Sequence, residues 1–221
     1  MDRKSIRDAV EILPLLILMK FTKLLPLKVK IVLGGLFFSW LVTINRRLRN
    51  RISNNLDLTM PEITKTQKRA FIKKFGTLAG KTFTELIFNA EFQKSSSKFK
   101  YTKDELSPLL TAKNEGRPII IVSAHFGPWE AVRAVLKRYN LTAGAIYKKN
   151  NNQFYEPLHL KAIKYGGEPI FATGSNGTRK MIQHLKGGGI VAAMLDQAAK
   201  DGEFFDFLGV PAKTSTSVAK L

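Results

Sequence analysis

Apolar residues in the first half of the chain recur mainly at helical spacing. The segment Thr64-x-x-Gln67 is typical of a helix-capping box, and apolar and aromatic residues then recur every three or four positions. This pattern predicts an amphipathic helix from Lys65 to about Ala90, with its lysines facing water and its aromatic stripe packed in the core. A shorter helix is predicted at Leu106–Asn114.

The second half of the chain predicts strands that alternate with helices. Pro118–Ala124 is almost continuously apolar, which is typical of a central strand covered on both faces. Three more strands are predicted, at Thr142–Tyr147, Glu168–Ala172 and Gly189–Leu195. The intervening helices are predicted at Ala131–Tyr139, Phe154–Tyr165 and Gly177–Leu185. This alternation predicts an α/β fold with a mixed, largely parallel sheet flanked by helices.

The chain ends inside a predicted element. Phe204–Leu208 is a further short strand candidate, and a helix is predicted to begin at Thr214. No glycine or proline closes that helix before Leu221. We therefore expect that a C-terminal portion of the domain is missing.

The net charge of the chain implies a polyanionic partner. Thirty-six Lys and Arg stand against 17 Asp and Glu, a formal net charge of +19. Nucleic acid, an anionic membrane surface, an acidic protein or a phosphorylated lipid would each balance it. Up to Arg51, basic residues are interleaved with apolar runs at Ile12–Met19 and Ile31–Ile44. Nucleic-acid-binding arms are basic and polar, so this segment favours membrane binding, and no nucleic acid is expected.

Residues 1–50 are interpreted as a basic, apolar membrane anchor of two short helices broken near Pro26. A polar connector at Asn54–Glu62 follows, and residues 51–221 form one domain. The uncharged stretch Ile31–Asn45 is shorter than the roughly 20 residues that span a bilayer, which favours an interfacial anchor. A spanning helix with snorkelling lysines and a buried pair of core helices stay open as alternatives.

The residue types exclude several kinds of chemistry. With no cysteine, the chain has no disulfide, no thiolate nucleophile and no thiolate metal site. Its three histidines, His125, His159 and His184, lack the spacing of a helical metal motif. His159 and His184 lie in predicted helices and are interpreted as structural or surface residues. We expect no metal site.

His125 and Glu130 are the candidate catalytic pair. His125 directly follows Pro118–Ala124, and catalytic groups of open α/β sheets gather at the carboxyl ends of strands. Inside one helix the two side chains would not face each other. Gly127 permits an unusual turn and Pro128 suits the first helical position, so Glu130 is expected in the first turn, curled back toward the imidazole.

Such a pair would act as a general base. A neutral imidazole accepts a proton near neutral pH, and a carboxylate behind it fixes the tautomer and stabilises the imidazolium. With no serine or cysteine placed beside it, the pair would deprotonate a substrate hydroxyl that attacks an activated acyl carbonyl. The competing interpretation is a buried His125 with a satisfied hydrogen bond and a solvent-facing Glu130.

Several ordered motifs resemble one family of enzymes. Ser123–Glu130, Ser-Ala-His-Phe-Gly-Pro-Trp-Glu, resembles the His-x4-Asp/Glu signature of glycerolipid-type acyltransferases. Its Phe-Gly-x-Trp interior resembles the lauroyl/myristoyl (late) acyltransferases of lipid A biosynthesis. Three later segments resemble motifs of that family in the same order: Tyr147–Asn152, Leu185–Gln197 and Phe205–Thr214.

The resemblance implies a glycerolipid acyltransferase-like fold and transfer of a fatty-acyl chain from acyl carrier protein to a hydroxyl of a lipid A precursor. This step of lipopolysaccharide biosynthesis takes place at the cytoplasmic face of the bacterial inner membrane. By position, His125 would be the general base and Glu130 its partner. An acidic carrier protein, a phosphorylated glycolipid and an anionic membrane surface would all suit the basic chain. The resemblance implies no metal or redox cofactor, because the thioester supplies the activation.

Four further residues are implied for substrate binding. Lys148 and Asn152 would hold the polar substrate, and Asp196 and Gln197 would line the same cleft. Alternatively, these four are a solvated loop lysine, a turn asparagine and helix caps. Pro128 stands where the family usually carries Asn. Lys148 stands where it usually carries Arg, which replaces a bidentate clamp with a point charge.

Other functions stay open. A related acyltransferase could use another glycolipid, a phospholipid or an aminolipid as acceptor, or acyl-CoA as donor. An inactive membrane-peripheral protein could keep the fold and only bind lipid. A nucleic-acid binder has the least support, because no stacked-aromatic motif or zinc module is present.

Overall fold

The computed structural model describes residues 2–95, 97 and 99–221. Its helices are α1 (Arg3–Thr22), α2 (Leu27–Ile44), α3 (Arg46–Thr59), α4 (Lys65–Ile87), α5 (Asn89–Lys94), α6 (Lys103–Asn114), α7 (Ala131–Lys137), α8 (Tyr155–Lys164) and α9 (Ser175–Lys186). Its strands are β1 (Ile119–Ser123), β2 (Ala143–Tyr147), β3 (Ile170–Ala172), β4 (Ile190–Met194), β5 (Ala198–Phe207) and β6 (Val210–Thr214). The predicted α/β fold is confirmed.

Contacts between residues divide the chain into two compact units. The first comprises Met1–Leu25, Leu86–His125 and Trp129–Met194. The second comprises Pro26–Glu85, Phe126–Pro128 and Leu195–Leu221. The boundary near residue 50 that the sequence suggested between an anchor and a catalytic domain stays a prediction.

The first unit is built on a four-stranded parallel sheet in the order β1-β4-β2-β3. The four predicted strands are all present. The predicted central position of β1 is wrong, because β1 lies at an edge and its Val122 is 60% exposed. The chain returns from β3 to insert β4 beside β1, and β4 is the strand whose residues are most fully buried.

Helices cover both faces of this sheet. On one face, α9 buries Met181 and Leu185 against Val191 of β4. On the other face, α7 buries Leu136 against Ile190 of the same strand. Because the strands are parallel, their carboxyl ends share one edge, where the loops of an α/β sheet usually carry its chemistry.

The chain breaks between the two N-terminal helices near Pro26, as predicted, since α2 begins at the next residue, Leu27. α1 belongs to the first unit, where Asp8 is 1% exposed. The Asp8 carbonyl accepts a hydrogen bond from Asn152 Nδ2 at 2.8 Å, and its carboxylate accepts one from the Gln153 N–H at 3.3 Å. α1 is therefore bonded to the loop between β2 and α8.

The polar connector predicted at Asn54–Glu62 is wrong over its first part. α3 continues to Thr59, because Ile52 and Leu56 lie one turn apart and give the helix an apolar side, with Leu56 buried. The capping box at the start of α4 is confirmed by reciprocal bonds between Thr64 and Gln67.

In the second unit, α2 packs closely on α4 where both helices carry glycine. A Cβ added at Gly80 would lie 2.6 Å from the Phe38 Cβ and closer still to the backbone of α2. The rings of Phe38 and Phe83 stack with centroids 5.4 Å apart. The Ser39 hydroxyl donates to the Lys73 carbonyl at 3.2 Å.

Leu27–Ile44 is long and apolar enough to cross a membrane, by length and composition alone. This is weak evidence, because core helices of soluble proteins and signal sequences share those properties. Within the described chain, 28% of this stretch is buried.

The second unit also contains the antiparallel hairpin β5–β6. The sequence predicted only one short strand there, at Phe204–Leu208. The two strands meet at Leu208 and Gly209, both with positive φ, and leucine is not a usual signal for such a turn. The helix predicted from Thr214 is wrong, because Thr214 ends β6 and residues 217–220 form a turn.

Candidate active site

His125 lies two residues beyond the end of β1, as predicted. The loop then turns at Gly127, whose φ of +64° lies in the left-handed region that glycine favours. α7 begins only at Ala131, so Pro128 is not its first residue and Glu130 is its N-cap rather than part of its first turn. The predicted turn is present, but the helix starts later than the Gly-Pro signal suggested.

The His125 ring is half-buried and packs edge-on against Trp129, with centroids 4.9 Å apart and an interplanar angle of 86°. In the second unit, the Gly127 carbonyl accepts a hydrogen bond from the Thr82 hydroxyl of α4 at 3.1 Å. His125 is therefore held by Trp129 within the first unit, and Gly127 is held by Thr82 within the second unit.

Glu130 is buried, with 8% of its surface exposed. This contradicts the interpretation of a solvent-facing glutamate. Its two carboxylate oxygens accept hydrogen bonds from Arg133 Nη1 at 3.0 and 2.9 Å, and the Asn89 side chain also donates to it. Burial raises the pKa of the Glu130 carboxyl, while the Arg133 charge and the hydrogen bonds oppose that rise.

The predicted substrate-binding residues of the first unit differ in their surroundings. Lys148 follows β2 and is exposed. Asn152 is half-buried, and its Oδ1 accepts from the N–H groups of Phe154 and Tyr155 at 3.1 Å, which caps the start of α8. Its Nδ2 bonds to Asp8 of α1. The local contacts therefore give Asn152 a structural role, as one of the alternatives anticipated.

Asp196 and Gln197 follow β4 in the chain, are exposed and belong to the second unit. Whether they line one cleft with Lys148 stays a prediction.

The other two histidines lie in helices, as predicted. His184 of α9 bonds through Nε2 to the Ile190 carbonyl at 3.3 Å. His159 of α8 stacks on Tyr155 with centroids 5.3 Å apart, and burial lowers the pKa of its imidazole. Its Nδ1 is buried and has no hydrogen-bond partner among the described residues. His159 also lines a cavity of about 240 Å³, together with Leu15 and Met19 of α1.

Sequence reasoning missed the residues that surround Glu130. Arg133 and Asn89 are both buried, and each bonds to the Glu130 carboxylate. The spacing Glu-x-x-Arg on a predicted helix is a signal that could have revealed Arg133, because residues three apart meet on a helix surface. Asn89 had no such signal, since it lies 41 residues away along the chain.

A second perturbed carboxyl lies in the second unit. Glu85 of α4 is half-buried, and burial raises its pKa to about 7 although the Lys81 charge opposes the rise. In the described part of the chain, no three His, Asp or Glu side chains gather in a way that could hold a metal ion.

A parallel sheet with a histidine just past the carboxyl end of a strand is an arrangement typical of α/β enzymes. The chain belongs to the bacterial lipid A biosynthesis acyltransferase family, whose model matches residues 7–221. It is therefore an acyltransferase of lipid A biosynthesis, in agreement with the motifs in its sequence. No curated protein matches the chain.

Proposed function

We propose that the chain is a late acyltransferase that moves a fatty-acyl group from acyl carrier protein to a hydroxyl of a lipid A precursor. His125 is the general base and Glu130 is its carboxylate partner. The observation that carries the proposal is that a family match over residues 7–221 coincides with a histidine past the end of β1 and a buried carboxylate five residues later.

In the proposed reaction, the imidazole of His125 takes the proton of the acceptor hydroxyl as its oxygen attacks the thioester carbonyl. A C–O bond forms, the C–S bond breaks, and the leaving thiolate receives the proton from the imidazolium. Glu130 stabilises the imidazolium while it exists. A carboxylate has about four lone-pair sites, so the bonds from Arg133 leave capacity for a bond from His125.

The substrate side of the proposal rests on charge. Lys148 supplies an exposed cation for a phosphate of the acceptor, and Asn152 orients the loop that carries it through the cap of α8. Asp196 and Gln197 complete the polar contacts. The formal net charge of +19 suits an acidic carrier protein, a phosphorylated lipid and an anionic membrane surface.

We also propose that the N-terminal helices hold the protein at the cytoplasmic face of the inner membrane. Phe21 and Leu24 near the end of α1 are 80% and 95% exposed, and Trp40 of α2 is 58% exposed. Exposed apolar residues interleaved with lysines are typical of interfacial binding. Cell fractionation tests this point: recovery of the protein in the soluble fraction at low ionic strength would contradict it.

The reaction is tested with membranes that contain the protein, radiolabelled acyl-acyl carrier protein and a lipid A precursor. We expect a labelled, more acylated lipid from the wild type and a loss of about 10²–10⁴-fold in rate for His125→Ala. His184→Gln is the matched control and should keep its rate, because His184 bonds to a backbone carbonyl of the core. An unchanged rate in His125→Ala would refute the base, and a product formed only from acyl-CoA or another acceptor would refute the substrate.

A further inference from the structure

A buried guanidinium group holds the Glu130 carboxylate in place. Arg133 is 3% exposed, and its Nη1 bonds to both oxygens of Glu130. Its other bonds go to backbone carbonyls: Nε to Ala143 at 3.1 Å, Nη1 to Ile163 at 3.1 Å, and Nη2 to Gly167. These carbonyls lie at the start of β2 and around the end of α8. The position of the guanidinium is therefore fixed by backbone contacts that do not depend on the carboxylate.

A second polar group approaches Glu130 from another helix. Asn89 of α5 is fully buried, and its Nδ2 donates to the Ala162 carbonyl of α8 at 2.7 Å. Its Oδ1 accepts from Gln93 Nε2 at 3.0 Å, and its side chain also donates to the Glu130 carboxylate. Glu130 is thus bonded from α7 and from α5.

Gly166 leaves the space that this pair occupies. A Cβ added at Gly166 would lie 2.5 Å from Arg133 Nη1 and closer still to Glu130 Oε2. The φ of Gly166 is outside the left-handed region, so the backbone itself accepts a side chain there. Its lack of a side chain is therefore explained by the pair and not by a turn.

The charge state of Glu130 depends on these neighbours. Its burial favours the neutral carboxylic acid, which would give little stabilisation to an imidazolium. The charged groups that face it are Arg133 and, less strongly, Lys137 of α7. The contacts from α5 and α8 are the neutral Asn89 amide and backbone carbonyls bound to Arg133. Arg133 is therefore the main group that opposes protonation of this carboxylate.

We propose that Arg133, supported by Asn89 and seated against Gly166, is a positioning residue for acyl transfer: it holds the Glu130 carboxylate in place and in a fixed orientation for His125, with a positive charge beside it. This inference rests on the proposed roles of His125 and Glu130. Arg133 itself is buried, bonds to Glu130 and to backbone carbonyls, and acts on the reaction only through Glu130.

The first test is a double-mutant cycle on kcat in the membrane assay described above. Arg133→Gln should lower kcat by about 10–100-fold, the loss typical when a hydrogen bond that orients a functional group is removed, with little change in KM for the acceptor. In a Glu130→Gln background, the same substitution should lower kcat no further, because its route of action has been removed. Arg138→Gln, which replaces an exposed arginine at the C-cap of α7, is the control and should keep full activity.

The pH profile distinguishes positioning from structural damage. Without Arg133 the carboxyl should ionise only at higher pH, so the deficit of Arg133→Gln should shrink as the pH rises. Arg133→Lys keeps the charge and loses the planar fork, so it should restore most of the neutral-pH activity. Gly166→Ala leaves both charges but displaces the pair, and should lower kcat at every pH.

An infrared measurement reports on Glu130 without requiring turnover. At neutral pH, the absorbance of protonated carboxyl groups should fall when Glu130→Gln is added to Arg133→Gln. It should fall by less when Glu130→Gln is made in the wild type, because there Arg133 opposes protonation of Glu130. If Arg133→Gln does not fold, Arg133→Lys and Gly166→Ala carry the kinetic test.

The outcomes separate this inference from the proposed function. An active His125→Ala variant would overturn the proposed base and with it this role of Arg133. If His125→Ala is inactive while folded Arg133→Gln keeps the wild-type kcat and pH profile, only the role of Arg133 is overturned. An equal further loss in the Glu130→Gln background would also overturn it.

Discussion

Replacing Gly80 with alanine tests how closely α2 lies on α4. The added methyl group would meet the Phe38 Cβ at 2.6 Å and the Gly34 carbonyl at a shorter distance still. Neither contact can be relieved by rotating a flexible side chain, because one neighbour is backbone and the other a Cβ. The two helices must therefore move apart, and the stacked rings of Phe38 and Phe83 must separate with them.

Three terms, one favourable and two unfavourable, set the size of the effect. Alanine in place of glycine favours a helix by about 0.5–1 kcal/mol. Overpacking costs about 1–3 kcal/mol, and loss of the ring stack adds about 0.5–1.5 kcal/mol. We therefore expect the free energy of unfolding to fall by about 0.5–4 kcal/mol in Gly80→Ala. A smaller fall is expected for Gly35→Ala, whose Cβ would lie 3.1 Å from a flexible Lys81 side chain and the Thr77 carbonyl.

Urea unfolding followed by circular dichroism measures these changes, with all variants in the same detergent. Gly187→Ala is the matched control, because its Cβ would meet only carbonyl oxygens at 3.5 Å or more and its φ is −82°. If Gly80→Ala were as stable as Gly187→Ala, α2 would not lie on α4 as described. A helix that left α4 to span the bilayer alone would give that result.

Three further predictions concern single side chains. The pKa of Glu85 is raised from 4.5 to about 7 in the folded protein, so between these pH values the folded protein holds a proton that the unfolded chain has released. The free energy of unfolding therefore falls as the pH rises through this range. Glu85→Gln removes this pH dependence. From pH 4.5 to 8, the stability of the variant relative to wild type should grow by about 1–2 kcal/mol, a figure reduced to allow for solvent screening. A stability difference that does not change with pH would contradict this prediction. Leu136→Ala should lower the free energy of unfolding by about 2–5 kcal/mol in urea titrations, because the side chain is fully buried between α7 and β4; a loss below 1 kcal/mol would mean that this face is open. Asn152→Ala should cost about 0.5–2 kcal/mol through the lost cap and should expose α1 to trypsin; unchanged cleavage would argue against the bond to Asp8.

The sequence was sufficient to locate the four strands of the parallel sheet but not to order them. β1 and β4 are both short apolar runs, and periodicity carries no information about which of them is central. The position of β4 follows from contacts between residues far apart in the chain, such as Ile119 with Ile190. The hairpin partner β6 was missed because its sequence, with Pro211, does not resemble a strand interior.

The candidate site shows the same division between local and distant information. The turn at Gly127 and the strand end before His125 are local features, and both were predicted. The ion pair of Glu130 required the end of α8 and α5 to converge on α7, which no local pattern indicates. The burial of Glu130 is therefore a property of the fold and not of the His-x4-Glu motif.

The bond between α1 and the loop before α8 limits how the protein can be shortened. N-terminal helices of membrane-associated enzymes are often removed to obtain soluble material. Here, a chain that began after Leu25 would leave the Asn152 amide and the Gln153 N–H without their Asp8 partners and would open the cavity beside His159. Purification strategies should therefore keep α1 and reduce its exposed apolar surface by substitution.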